Sequence, residues 1–421
     1  MKNSSSFSAR IKRFIRILGP GLVTGASDDD PSGIATYSQA GAGFGYATLW
    51  TALLTFPLMA AIQGMCARIG IVTTQGLTVT LKNHYPKSIL YLMLLFSFPA
   101  ITFNIGADIH AMGSVANMLF PAIPAFAFSA FITGILIFVI IRYPYQQLAL
   151  ILKWLCLSLL LYVIVPFLVK QDWGLVMQST FIPSIQFNKD FLSILVAILG
   201  TTISPYLFFW QATMEAESVA HSKRKVIVNK HVLDNMKTDV NLGMLFSNIV
   251  MFFIILTTGT VLYNSGIHQI TTVEQAAKAL EPLAGKLTYI IFAIGVLGTG
   301  MIAIPVLAGS QSYMLAETFG WDSGLDKKFS SAKSFYFTVI VSLLIGLSLD
   351  FVGISPIQAL IYTAILYGLT SPVLIAIILH IGNNKKIMGE FTNSKLSNTL
   401  GFMTLILMTI AAVALLIFQF K

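Results

Sequence analysis
Apolar runs separated by short polar loops dominate the chain, and most are roughly 20 to 30 residues long, the length a helix needs to cross a bilayer. They predict eleven membrane-spanning helices, over 17–42, 46–70, 88–117, 121–141, 146–169, 190–214, 238–263, 285–313, 334–350, 354–380 and 398–420. The first run is interrupted at its centre by Asp28-Asp29-Asp30-Pro31-Ser32-Gly33. Carboxylates at mid-bilayer are costly, so an acid placed there is a functional candidate by default. Pro31 removes a backbone donor and Gly33 loosens the chain, which predicts two half-helices meeting at this point. Irregular backbone at membrane depth is tolerated only where it is buried in protein or lines a watery cavity. The carbonyl end of one half-helix, the amide end of the next and a carboxylate together make a cation site.

Asp30-Pro31 is also a good helix start in its own right, with Asp as N-cap and Pro at the first helical position. Capping accounts for one Asp, but not for a break in mid-span. Successive residues lie about 100° apart around a helix, so the three carboxylates cannot all face one ion. Asp30, which adjoins the break, is the expected ligand.

The sixth run repeats the anomaly, with Gly200-Thr201-Thr202-Ile203-Ser204-Pro205 in mid-span. Interrupted helices at the head of spans 1–5 and again of spans 6–10 are the mark of inverted-repeat transporters, whose site lies between the two breaks. Five spans per half insert the halves in opposite orientations, as that pattern requires. Pro205 alone says little, since proline kinks are common in transmembrane helices. Its pairing with Pro31 carries the inference.

Composition agrees with this class. Of 421 residues, 56% are hydrophobic and only 10% charged, which excludes an ordinary soluble protein. The net charge of +9 sits in short loops, where it reports topology and not nucleic-acid binding. With the amino terminus inside, 20 Lys and Arg fall on the inner side and 5 on the outer. This predicts a multi-pass plasma (inner) membrane protein with a cytoplasmic N-terminus and an outer C-terminus. Residues 1–16, basic and Ser-rich, read as a retained cytoplasmic tail, because no cleavage site follows. Residues 17–420 read as one transmembrane domain: a first repeat over about 17–169, a second over about 190–380, and an extra helix over about 398–420. Cys66 and Cys156 lie far apart and show no metal-ligand spacing.

Gly19-Pro20-Gly21, Asp30-Pro31, Ile34-Ala35-Thr36 and Ala40-Gly41-Ala42-Gly43-Phe44-Gly45-Tyr46 resemble the first span of the Nramp family of divalent-metal transporters. Ala67-Arg68-Ile69-Gly70-Ile71-Val72-Thr73 continues the likeness, which is dense over roughly 18–82, recognisable near 200–212 and thin elsewhere. The resemblance implies a leucine-transporter-like fold, all-α, with an inverted 5+5 repeat plus an eleventh helix. It also implies an ion site between spans 1 and 6, and uptake of a divalent cation as cargo, with no cofactor.

The departures from the family pattern bear on the ion. Nramp chains typically carry Asp-Pro-Gly-Asn in span 1, whereas here Gly33 stands at the metal-binding Asn. The metal-binding Met of span 6 corresponds to Ser204, and the family's backbone ligand three residues earlier corresponds to the Thr201 carbonyl. The two span-6 histidines fall on Tyr206 and Gln211. A thioether helps select transition metals, whereas oxygen donors suit hard cations. Mg²⁺ keeps several waters and binds through one or two carboxylates, and small residues at Gly33 and Ser204 leave room for those waters. The chain therefore resembles the Nramp-related magnesium transporter branch, with Mg²⁺ expected ahead of Mn²⁺. A proton-coupled Mn²⁺/Fe²⁺ Nramp transporter is the alternative, followed by an organic-solute carrier of the same fold. The latter needs no carboxylate in span 1, because half-helix amides hold its substrate's own carboxylate.

Span 3 carries Asn104, Asp108 and His110. Asp108 and His110 lie about 200° apart around the helix, so at most one faces a central cavity. In the family this region carries an Asp and a Glu on a proton route. The resemblance puts His110 on the Glu and leaves the Asp between Ala107 and Asp108, while a packing pair is an equal reading. Gln211, Glu215 and Thr370 complete the expected ion or proton pathway. Glu215 and Glu217 also read as headgroup-level residues, the favoured placement, and Gln358 and Thr370 read either as facing the site or as polar glue between helices. Asp350 reads as a solvated span end, and Trp50, Trp154, Trp173 and Trp321 as interfacial anchors. Without the family histidines, transport is expected to need no obligatory proton. No His-Glu-x-x-His or Gly-x-Ser-x-Gly appears, so an intramembrane enzyme is not expected. The expected partners are the metal ion and the bilayer, with no nucleic acid and no obligatory protein.

Overall fold
The computed structural model describes residues 19–143, 157–220 and 227–419. All regular structure among these residues is helical. The principal helices are α1 (Pro20–Asp28), α2 (Pro31–Phe44), α3 (Trp50–Thr73), α4 (Leu77–His84), α5 (Lys87–Leu119) and α6 (Ala125–Arg142). They continue with α7 (Leu161–Leu168), α8 (Trp173–Phe181), α9 (Lys189–Thr202), α10 (Pro205–Ala220) and α11 (Lys230–Thr258). The last four are α12 (Thr288–Phe319), α13 (Lys333–Leu347), α14 (Pro356–Asn383) and α15 (Lys395–Gln419). Among the described residues, nine helices are long and apolar enough to cross a membrane, counting α9 with α10 as one. The expected first span is absent from the nine because it is split into half-helices of 9 and 14 residues. Part of the expected fifth span, with Lys153, Trp154 and Cys156, lies outside the described residues, as do the tail and Lys223–Lys225.

Two packed groups emerge from the contacts. The half-helices α1 and α2 pack on α9, α10 and α11, and α3 joins them through α10 and α11. The second group is α5, α6, α12 and α13. The first two spans of each five-span half thus share one bundle, and the third and fourth of each share another. Helix α14 rests on α9 of one group and α5 of the other, and α15 lies outside it.

Small residues set the closest approaches. A Cβ at Gly21 would lie 2.6 Å from the Val240 backbone nitrogen, so α1 and α11 meet backbone to backbone. Gly368 of α14 does the same toward the Val196 carbonyl of α9. Seams of this kind replace the hydrophobic drive that lipid cannot supply between helices.

Candidate metal site
Local chemistry places the first break. Helix α1 ends at Asp28, and Asp29 takes up φ −84°, ψ 53°, outside the helix. Asp30 is extended, at φ −70°, ψ 172°, and caps α2, with Pro31 at the first helical position. Its Oδ1 accepts the Gly33 N–H at 2.7 Å. The second break is built alike: Ile203 leaves the helix at φ −117°, ψ 61°, and Pro205 opens α10.

The two breaks face each other. The Tyr206 hydroxyl, in the first turn of α10, donates to the Ser27 carbonyl in the last turn of α1 at 2.8 Å. Tyr37 and Thr202 are joined through their hydroxyls at 3.3 Å. A Cβ at Gly33 would stand 3.5 Å from the Thr201 hydroxyl. Helix α14 braces both breaks, as Ser32 donates to the Leu360 carbonyl at 3.1 Å and Ser371 to the Ile203 carbonyl at 2.9 Å. Asp30, Gly33, Thr201 and Ser204 are thus brought into one buried region.

The three carboxylates divide as helical geometry demands. Asp28 and Asp29 both turn to α11, where the Ser247 hydroxyl is 2.6 Å from Asp28 Oδ2 and 3.1 Å from Asp29 Oδ1. Asp30 turns to α5, and its Oδ2 accepts from Asn104 Nδ2 at 3.0 Å. One turn further along α5, Asp108 is fully buried. Neither of its carboxylate oxygens makes a well-aligned hydrogen bond among the described residues, and the same holds for Asn104 Oδ1 and the Tyr367 hydroxyl. At the second break the hydroxyls donate within their own helix, with Thr202 also meeting Tyr37. Thr202 donates to the Ile198 carbonyl at 2.6 Å, and Ser204 donates to the Gly200 carbonyl at 3.2 Å and to that of Thr201.

Several expected placements are corrected. Asp350 is not a solvated end: it pairs with His110, which draws His110 away from the site toward the end of α13. Glu215 is buried within the bundle and not solvated; Gln211 donates to it at 3.0 Å, while Thr24 of α1 donates to Gln211 at 2.5 Å. Thr370 donates to the Leu366 carbonyl of its own helix at 2.9 Å and lines an apolar cavity of about 470 Å³ between α5, α14 and α15. Gln358 is exposed and does not face the breaks. Trp50 is buried, its indole donating to the Ser184 carbonyl at 3.2 Å, whereas Trp173 and Trp321 are exposed as anchors would be.

Sequence reasoning assigned no role to Asn104, although Asn104 and Asp108 are spaced four apart and so share a helix face. It also passed over Ser247 and Asp239 in the seventh span. The Asp239 carboxylate accepts from the backbone N–H groups of Gly19 at 2.8 Å, Gly21 at 2.7 Å and Leu22 at 3.2 Å. Helix α1 begins at a glycine with no capping side chain of its own, so α11 supplies the cap.

The family model described as natural resistance-associated macrophage protein-like matches residues 21–418. The chain belongs to the Nramp family. Among its relatives is a divalent metal cation transporter MntH of Caldanaerobacter subterraneus, 26% identical over 398 residues that cover 93% of this chain and 90% of the relative. Another of the same name, from Clostridium acetobutylicum, is 25% identical and covers 100% of this chain and 95% of the relative. Among solved structures, a manganese transporter of Eremococcus coleocola superposes with a TM-score of 0.76 at 17% identity, covering 98% of this chain and 88% of that one. The nucleobase-cation symporter MHP1 follows at 0.60 and 14% identity, covering 95% and 91%. At these identities the structures speak for the fold: this Nramp chain is an all-helical, multi-pass membrane protein of leucine-transporter type. The relatives bear transporter names, not those of enzymes.

Proposed function
We propose that this protein carries a divalent metal cation across the plasma membrane, bound where the two helix breaks meet. The observation that supports this most directly is the facing of the breaks, with Asp30 lodged between α2 and α5 and two interrupted backbones beside it. Asp30 supplies charge, while the Thr201 carbonyl and Ser204 hydroxyl supply neutral oxygens. In the described conformation the Thr201 carbonyl holds the Ser204 hydroxyl, so loading exchanges that bond for the ion.

Two cations are in contention, on different grounds. The relatives are named as divalent-metal and manganese transporters, which backs Mn²⁺. The donors proposed here, the Asp30 carboxylate, the Thr201 carbonyl and the Ser204 hydroxyl, are all oxygens, which favours the hard ion Mg²⁺. The bias of basic residues supports a cytoplasmic amino end and an outer carboxyl end. Import needs no further energy source, since a negative-inside potential of 100 mV favours entry of a doubly charged ion by about 4.6 kcal/mol.

The test is uptake into proteoliposomes, comparing Mn²⁺, Mg²⁺ and Ca²⁺, for the wild type and Asp30→Asn. The substitution keeps the shape and removes the charge. The expected result is concentrative divalent uptake under an imposed potential, lost in Asp30→Asn at unchanged protein insertion. Equal uptake by both proteins would sink the site. Mn²⁺ and Mg²⁺ are ranked by mutual competition in the same vesicles.

A further inference from the structure
The break between α1 and α2 offers the ion one carboxylate, and a divalent cation held by one carboxylate keeps a full positive charge in a low-dielectric interior. Such a charge is expensive to bury unless something nearby balances it. Asp28 and Asp29 each give one oxygen to Ser247 of α11 and keep the other, Oδ1 of Asp28 and Oδ2 of Asp29, without a partner among the described residues, so they stand behind Asp30 on the α11 side. The side of Asp30 that bears on other groups faces α5. There Asn104 is 0% exposed and spends its amide nitrogen on Asp30, which leaves its Oδ1 without a partner among the described residues. Asp108 is also 0% exposed and lies four residues on, so its side chain stacks on the same helix face. Neither of its oxygens makes a well-aligned hydrogen bond among the described residues, and the Ser32 amide and the Asp30 charge lie near it. From α14, the Tyr367 hydroxyl is a fourth buried oxygen without a well-aligned hydrogen bond among the described residues, and it lies beside Asn104 and near the Asp30 and Asp108 charges. Buried polar groups without partners are rare and call for a ligand.

We propose that Asn104 and Asp108 of α5 form the second wall of the ion cavity, with Asp108 the second carboxylate of the site, facing Asp30 across the cation. Two carboxylates and a carbonyl-type oxygen, with waters filling the remaining positions, are a donor set for a hard divalent ion. The pair neutralises a charge of +2 and over-neutralises +1, so it selects against monovalent cations. It also ties cargo binding to the second packed group, since α5 belongs with α6, α12 and α13 and not with the broken helices.

This inference rests on the proposed transport reading, and the variants separate the two. Mn²⁺ binding to the full-length protein in detergent is followed by loss of the free Mn²⁺ electron paramagnetic resonance signal, with Mg²⁺ added as competitor. The proteins compared are wild type, Asp30→Asn, Asp108→Asn and Asp108→Glu, each checked for its thermal unfolding midpoint. Asp108→Asn is expected to weaken binding at least about tenfold, a loss in keeping with one unit charge at close range. Asp108→Glu, which keeps the charge but enlarges the side chain, is expected to bind better than Asp108→Asn. A purely structural role predicts the opposite order, since Asn is isosteric and Glu is not. Loss in Asp30→Asn with wild-type affinity in Asp108→Asn overturns the second wall and leaves the transport site standing. Wild-type affinity in both overturns both. Should Asp108→Asn fail to fold, Asp108→Glu together with Asn104→Leu decides: retained affinity in Asn104→Leu and lost affinity in Asp108→Glu would overturn the proposal.

Discussion

The two helix breaks sit side by side, and each ends just before a proline, yet they spend their polar groups in opposite directions. At the first, Asp28 and Asp29 bond to α11, Asp30 to α5 and Ser32 to α14. At the second, Thr202 and Ser204 donate back to their own helix, while the Ile203 carbonyl, Tyr206 and the Thr202–Tyr37 hydroxyl pair reach outward. Carboxylates accept but cannot donate when ionised, so a break rich in Asp must borrow donors from its neighbours. Hydroxyls donate, and a helix always has a carbonyl four residues back to receive them. The pair of interrupted backbones makes the place, and the first break carries nearly all of its charge and outside support.

That contrast is testable through its supports. Ser247→Ala removes the donor shared by Asp28 and Asp29, and leaving buried acceptors without partners costs about 1–3 kcal/mol. A lowered thermal midpoint in detergent is the expected reading. The matched change at the second break, Thr202→Val, cuts mainly a bond within its own helix and should cost less. Equal losses would erase the distinction between the breaks.

A smaller effect is expected on selectivity. Ser204→Met gives the second break a thioether, and Gly33→Asn gives the first an amide. A Cβ at Gly33 meets the Asp28 carbonyl and the Tyr37 ring at 3.3 Å, so neighbours need yield only slightly. Together the two changes should shift preference toward Mn²⁺ and Cd²⁺ over Mg²⁺ by about tenfold, given the softer donor. Competition uptake checks this. A wild type that already takes Cd²⁺ as readily as Mg²⁺ defeats the oxygen-donor argument.

The smallest expected effect is on protons. Tyr206 lies in the first turn of α10 and Gln211 further along it, and neither Tyr nor Gln ordinarily titrates near neutral pH. His110 is drawn to Asp350, away from the ion. Metal influx under a clamped potential should therefore leave internal pH unchanged. Metal-dependent acidification that disappears in His110→Ala would show coupling by another route.

Features made by neighbours along the chain are legible in the amino-acid sequence alone. The breaks at Pro31 and Pro205, the Asp30 cap and the long apolar spans follow from residues within a few positions of each other. What escapes such a reading is set by partners far along the chain. Asn104 reaches Asp30 across 74 positions, Ser247 reaches Asp28 across 219, and Asp350 reaches His110 across 240. Hydropathy marks a residue as lying in a span but not which neighbour it will face. For the same reason a buried Glu215 reads as a headgroup residue: the Gln211 that satisfies it lies one turn away, but the burial comes from the whole bundle.

The grip of Asp239 on the start of α1 has a consequence for how that half-helix can come loose. All three donors are main-chain N–H groups, so no side-chain substitution in α1 can remove the acceptor, and one residue of α11 caps the helix start beside the glycine seam at Gly21. Because the bonds converge on a single carboxylate, they fail together and not in sequence. Loss of this one carboxylate would therefore leave three main-chain donors uncapped at once, where three separate acceptors would lose them one at a time.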